Sequence, residues 1–190
     1  MAFPPLLLSD YDMSPTHGFL GVDNLRCFPA GPLQAWDDIA AHLSQLTADG
    51  DALRDAVDAL PCLSTEPLTD ENEWRRAYSL LATLANCYVW CKGEDGAAAV
   101  LPRQIAVPLA TVSEHLGLPP VVTHAAVVLY NWELVDPGMP FSLENITTLH
   151  GMHGGTVAQR TLCSCIRRVC LPLSLCASSR PLQTTSVAFG

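Results

Sequence analysis

Lysine is almost missing from this chain: Lys92 is the only one in 190 residues. A surface that grips phosphate needs clustered lysine and arginine, and the formal net charge is −9. Nucleic acid is therefore not an expected partner. Long apolar runs are missing too. No segment approaches the roughly 18 consecutive apolar residues that a membrane span requires, so no membrane association is expected. The opening MAFPPLLLSDYDMS has no basic leader and no extended apolar stretch, and reads as an ordered arm rather than a signal peptide. No P-loop, G-x-S-x-G elbow, H-E-x-x-H pair or C-x-x-C pair occurs. The eight cysteines do not form a disulfide framework. Cys27, Cys62, Cys87 and Cys91 sit among apolar residues, the pattern of buried reduced thiols in a cytoplasmic protein.

Acidic residues are missing from one region only. All 19 lie before His150, where they face six basic groups for a net charge of −13. Residues 151–190 carry no Asp, Glu or Lys, four arginines and half of the cysteines, for a net charge of +4. So sharp a change marks a boundary, with one domain over 1–150 and a divergent tail over 151–190. The tail lacks caps and any sustained period of 3.6 or 2.0. It is expected to be irregular, either disordered or the product of an out-of-frame or retained-intron translation.

What is present is abundant apolar character. Nearly half the residues are apolar and 15% are charged, so the chain is expected to fold. Trp36, Ile39, Ala40, Leu43 and Leu46 form a helical stripe over 36–48, stopped by Asp49-Gly50. Leu53, Ala56, Val57 and Leu60 repeat it over 52–60, with Asp51 as cap. The two read as an antiparallel pair. A third helix starts at Thr69 or Asp70, where Asp70 and Glu73 have capping-box spacing, and ends at Lys92-Gly93. At about 22 residues it would run roughly 33 Å, the length of a central helix.

Residues 101–137 hold five prolines, two lone histidines and an Asn-Trp pair in an apolar background, and read as a pocket wall with specified turns. Pro108 suits the first position of a short helix over 109–116, and Gly117 suits its end. Pro119-Pro120 forces extended backbone. Residues 123–135 are apolar on most sides, which implies deep burial. Ser142 is placed to cap a last helix over 143–149. No strand alternation appears, so the class is all-α.

Cys87 and Cys91, four apart on one helix, read as core thiols rather than metal ligands. Cys163, Cys165, Cys170 and Cys176 lack the paired spacing of a zinc site. His150 and His153 are three apart, but Gly151, Gly154 and Gly155 argue for a loop, so no metal site is expected. Taken alone, His124 reads as a satisfied core histidine; near a pocket it would orient a polar substrate atom or bound dioxygen. Asn131 and Trp132 read as packing and capping residues.

In order and with matching spacing, YDMSPTHGFLG (11–21), ANCYVWCKG (85–93), LPRQIAVPLATVSEHLGLPP (101–120) and VLYNWELVDP (128–137), followed by SLENITTL, resemble the N-terminal small domain of the indoleamine 2,3-dioxygenases. The resemblance runs from about residue 9 to about residue 149. It implies a small all-α domain from an enzyme with haem b, which inserts both atoms of O2 across the C2–C3 bond of the indole of L-tryptophan to give N-formylkynurenine, the entry to kynurenine catabolism. The protein's share of that chemistry is an axial histidine and a dry, shaped distal pocket. By match, the distal-side helix begins at His124 and includes Val127 and Val128, which are implied to face the pocket.

The departures set the expectation for this chain. Thr161, Leu162 and Cys165 stand where the family has an aromatic pair and a serine. None of the six histidines matches the proximal ligand, which the family carries in a large C-terminal domain. No catalytic residue is assigned here, and the chain is expected to be a truncated form that does not stably bind haem or oxidise tryptophan alone. Two other roles follow from the resemblance: a non-catalytic module that pairs with a large-domain or full-length partner, and a haem-based O2 carrier. A domain of this kind is expected to expose apolar surface and to be poorly soluble in isolation.

Overall fold

A computed structural model of the chain describes residues 24–151 together with Tyr11, Met13, Ser14, His17 and Leu20. The expected tail over 151–190 lies outside the described residues except for Gly151. The fold is mostly helical. Four α-helices run in chain order: α1 (Gln34–Leu46), α2 (Gly50–Asp58), α3 (Glu71–Trp90) and α4 (Arg103–Leu116). A π-helical turn, Ala125–Leu129, follows, and then a two-residue antiparallel ladder of β1 (Glu133–Leu134) with β2 (Ile146–Thr147).

Helix α3 is the axis of the domain. Asp70 accepts from the backbone N–H groups of Asn72 and Glu73, while the Glu73 carboxylate takes the backbone N–H of Asp70. This is the capping box its sequence spacing predicts. Residues 76–85 are buried on every side, because α1, α2, α4 and the π-turn all pack against this one helix. Twenty residues give it a length of about 30 Å. Replacing Asp70 with alanine is expected to cost about 1 kcal/mol of stability by orphaning two N–H groups. An unchanged urea midpoint would contradict that.

The pair α1 and α2 forms as expected, with a shifted joint. The cap of α2 is Asp49, whose Oδ1 accepts from Asp51 and Ala52, not Asp51 itself. Gly50 opens α2 instead of closing α1. The reason is tertiary: a Cβ on Gly50 would lie 2.8 Å from Cγ of Lys92 and 3.0 Å from the carbonyl oxygen of Cys91. Only glycine lets the start of α2 approach the end of α3 this closely. Asp51 is thereby released to pair with Lys92, whose hydrogen bond and charge hold its carboxyl below the usual carboxylate range.

Helix α4 starts at Arg103, six residues before the sequence expectation, and Pro108 lies inside it. An internal proline forfeits a hydrogen bond and crowds the preceding turn. Here Ile105, Pro108, Leu109 and Val112 form one buried face against α3, and that burial outweighs the break. Gly117 ends the helix in the left-handed region at φ +65°, and Leu118 N–H closes onto the Ser113 carbonyl.

Two further expectations are corrected. The helix expected over 143–149 is a single 3-10 turn, Leu143–Asn145, that runs into β2, and Ser142 makes no side-chain cap. Asn145 is responsible. Its amide donates to the carbonyls of Asp136, Met139 and Pro140, and its Oδ1 accepts from Asp136 N–H, so it pins the loop rather than a helix. The cysteines also divide: Cys87 is buried and Cys91 half-buried, but Cys27 and Cys62 are exposed, and none of the four is in a disulfide.

The main core is built on Trp36, Leu43, Leu53, Tyr78, Leu81, Leu84, Ile105 and Leu109. A second, smaller cluster of Leu20, Val128, Trp132 and Ile146 lies under the β-ladder. Among the described residues, no helix is long and apolar enough to cross a membrane.

Candidate functional site

Among the described residues, the turn Ala125–Leu129 has the rare π-helical backbone. Such turns are rare and concentrate at functional sites. Here the wide turn is closed by Tyr130 N–H onto the Ala125 carbonyl, five residues back. Local sequence prepares it: Pro119-Pro120 delivers an extended entry, and the Thr123 hydroxyl accepts from Ala126 N–H. Tyr78, fully buried in α3, anchors the entry. Its hydroxyl lies 3.0 Å from the carbonyl oxygens of Pro119 and Val121 and from the Thr123 hydroxyl.

The three residues expected to face a pocket sit differently along this turn. His124 is exposed, Val127 is half-buried, and Val128 is fully buried among Leu20, Trp132 and Ile146. The uniform deep burial expected over 123–135 is not found; within that stretch Ala126, Val128, Asn131 and Trp132 are the buried residues. A wide turn spreads neighbouring side chains over different sides, so an apolar run need not be buried all round. Two cavities open nearby. One, of about 380 Å³, lies between His17, Asn24, Arg26, Trp132 and Glu133. The other, of about 250 Å³, lies between Ala85, Val89 and Trp90 of α3 and Leu101, Val121 and Val122. Neither is lined by His124, Val127 or Val128.

Behind the turn is a buried polar cluster whose assembly was not predicted from sequence. Arg76, 4% exposed, donates from Nη2 to Asp37 Oδ1 of α1 at 2.7 Å and from Nε at 3.2 Å. Its Nη1 is 3.4 Å from Nδ1 of His150, also 4% exposed. The other ring nitrogen of His150 is 3.3 Å from the Thr83 hydroxyl and 3.5 Å from that of Ser79. Ser79 donates to the Ala126 carbonyl of the turn at 2.6 Å. Asn131 then clamps the backbone of His150 both ways, donating to its carbonyl and accepting its N–H, each at 3.0 Å.

These contacts set the protonation of His150. A guanidinium can only donate, so Nδ1 must accept and the proton resides on Nε2, facing the Thr83 and Ser79 hydroxyls. Burial first, and the Arg76 charge second, push the imidazole down to about 3. His150 is thus a neutral hydrogen-bonding group at physiological pH. The sequence signal for it was slight: an arginine inside the long apolar face of α3, and a histidine 74 positions away. Its suggested companion His153 lies outside the described residues. Among the described residues no group of three His, Cys, Asp or Glu side chains is arranged to hold a metal.

Three of the remaining described histidines are engaged at the surface or in packing, and His124 is exposed. His17 lies against Trp132 and Phe141, His42 bonds the Asp38 carbonyl, and His115 stacks on Trp74 at 3.9 Å. For a haem, the described residues therefore fit one role and not the other. Half-buried Val127 and its apolar surroundings suit one wall. No described histidine stands free inside an enclosed apolar cavity, as an axial ligand must.

Residues 7–165 match the family described as Indoleamine 2,3-dioxygenase. The human protein indoleamine 2,3-dioxygenase 2 is 40% identical over 151 residues, which is 80% of this chain and 37% of that protein. Rat indoleamine 2,3-dioxygenase 1 is 37% identical over 149 residues, 78% of this chain and 36% of the relative. Indoleamine 2,3-dioxygenase of Saccharomyces cerevisiae is 35% identical over 160 residues, 80% and 35% respectively. The chain thus spans about a third of the length of the relatives it matches. The chain belongs to the indoleamine 2,3-dioxygenase family.

Proposed function

We propose that this chain supplies the distal wall of a haem-dependent tryptophan 2,3-dioxygenase site and works with a haem-ligating portion that its described residues do not provide. The family reaction inserts O2 into the indole of L-tryptophan to give N-formylkynurenine. The observation that carries the reading is the π-turn. A family match covers it, and it exposes His124 and leaves Val127 half-buried beside the second core cluster, on a scaffold backed by Ser79. In this reading His124 and Val127 border the bound indole. Val128 fixes the turn from behind by filling the second core cluster. A wall of this kind excludes water and holds a planar apolar substrate in register, which is where a protein contributes when the cofactor carries the bond-making step.

The second part of the reading is that residues 1–150 form the family's small domain and that the 190 residues alone do not turn over tryptophan. It is supported by the described histidines, of which His17, His42, His115 and His150 are engaged with neighbours and His124 is exposed to solvent. It also accords with apolar surface left open beside the site, where Trp90 and Val121 are each 54% exposed. Pairing with a haem-carrying chain is favoured over an O2-carrier role, because a carrier needs an axial ligand among these residues.

Reconstitution tests the proposal. The chain is mixed with the portion of human indoleamine 2,3-dioxygenase 2 that it does not match, in the presence of haem, and tryptophan-dependent N-formylkynurenine is followed. Turnover is expected to appear only in the mixture. Val127→Phe, which projects a ring into the space given to the indole, is expected to lower it roughly 100-fold with an unchanged melting temperature. A variant as active as the unmodified chain would remove Val127 from the wall.

A further inference from the structure

The buried cluster behind the turn carries more than stability. Its members come from both flanks of the turn: Asp37 from α1, Arg76, Ser79 and Thr83 from α3, and Asn131 with Leu149 and His150 from the chain after it. We propose that His150, held neutral and Nε2-protonated, is the positioning residue of the Ala125–Leu129 turn, latching it to α3 so that its outward side chains keep one placement.

The geometry assigns this role by satisfaction of partners. Two protein donors cannot face each other, so a proton on Nδ1 would set N–H against the Arg76 guanidinium across 3.4 Å. The imidazole would then have to leave. It cannot leave alone, because Asn131 holds the His150 N–H and carbonyl, and Leu149 N–H binds the Asn131 carbonyl. Displacing the ring therefore pulls on the residue two positions beyond the turn. On the α3 side, Ser79 shares its hydroxyl between the ring and the Ala126 carbonyl, so loss of the ring frees that hydroxyl to turn away from the backbone it now fixes. The charged groups facing the ring are Arg76 of α3 and, behind it, Asp37 of α1. Asp37 neutralises the guanidinium and keeps it in place for Nδ1.

The inference rests on the proposed site only for its functional consequence, since the latch is measurable without haem or substrate. The measurement is amide hydrogen exchange on the full 190-residue chain, expressed as protection factors for residues 126–130 relative to α1 and α2. His150→Phe keeps the ring volume and removes both polar contacts. It is expected to lower protection of the turn roughly tenfold more than that of α1 and α2 at pH 7. His150→Gln offers a carbonyl to Arg76 and an N–H to Thr83 without a titratable proton. It is expected to keep the turn protected, and to keep it equally protected at pH 5, where the wild-type turn loses roughly 30-fold.

Should the phenylalanine variant fail to fold, Ser79→Ala removes the donor to the Ala126 carbonyl and the longer contact to the ring, leaves Thr83 on Nε2, and is expected to give the same loss confined to the turn. An even loss over all helices in either variant would show a merely structural role and overturn the proposal. So would a glutamine variant whose turn loosens at pH 5 as the wild type does. Failure of reconstituted turnover, with these exchange results intact, would instead count against the distal-wall reading alone.

Discussion

Replacing Arg76 with alanine is expected to lower the unfolding free energy by about 3–5 kcal/mol, the cost of leaving a buried ion pair half made. Two groups lose a partner at once, and a void opens beside them. Asp37 keeps only the backbone N–H of Phe28 at 2.6 Å, Nδ1 of His150 has nothing to accept from, and the space once filled by a guanidinium becomes a cavity. The size follows from burial. Arg76 and Asp37 side chains are 4% and 13% exposed, so water can neither screen the pair nor replace it. The surface pair Arg75 and Glu71, at 3.5 Å and 26% and 53% exposure, gives the contrast, and its loss is expected to cost under about 1 kcal/mol. Urea unfolding of Arg76→Ala and Arg75→Ala side by side checks both. Similar small losses would mean that Arg76 is solvated.

Acid is expected to destabilise the fold well before the carboxylates titrate. In the unfolded chain His150 takes up a proton near pH 6.5, while in the folded chain it resists down to about 3. Between these values the unfolded state binds more protons, so stability is intact above pH 6.5 and falls as the pH is lowered. The slope for one such group is about 1.4 kcal/mol per pH unit, so His150 alone accounts for about 2 kcal/mol between pH 7 and pH 5. Urea midpoints across this range should fall in the wild type and stay nearly level in His150→Gln. A wild-type midpoint that is flat to pH 5 would place His150 in contact with water.

Both effects come from residues that local pattern could not pair. What sequence did reveal was local. Asp70 and Glu73 lie three apart, so their capping box was visible, and Gly117 needed only its own left-handed backbone to mark the end of α4. Errors arose where a neighbour elsewhere in the chain decided. Asp49 and Asp51 are equally good caps by local rules, and the close approach of Gly50 to Cys91 and Lys92 chose between them. Pro108 is a good first-turn residue in isolation, yet Ile105, Leu109 and Val112 form a stripe that runs through it onto α3. Asn145 gathers three carbonyls and cancels a helix that its neighbours would otherwise continue.

The site divides along the same line. The resemblance of residues 101–137 to the family picked out the segment proposed as the distal wall, and the family match includes that segment. The burial of Val128 followed from its apolar surroundings; the exposure of His124 and the π-helical backbone were not legible, because a five-residue widening depends on Ser79 and Tyr78 reaching across from α3. His150 was read as a loop residue and is in a loop, but one whose ring is fixed by side chains 67, 71 and 74 positions away.

The distal-wall proposal gives this chain one wall of a haem site and, among its described residues, no ligand for the iron. Titration of the purified chain with haem, followed by visible spectroscopy and by assay for N-formylkynurenine with tryptophan present, tests it directly. The account predicts no spectrum of histidine-ligated haem and no product until a haem-carrying partner is added. A sharp histidine-ligated Soret band with tryptophan turnover by the chain alone would contradict it.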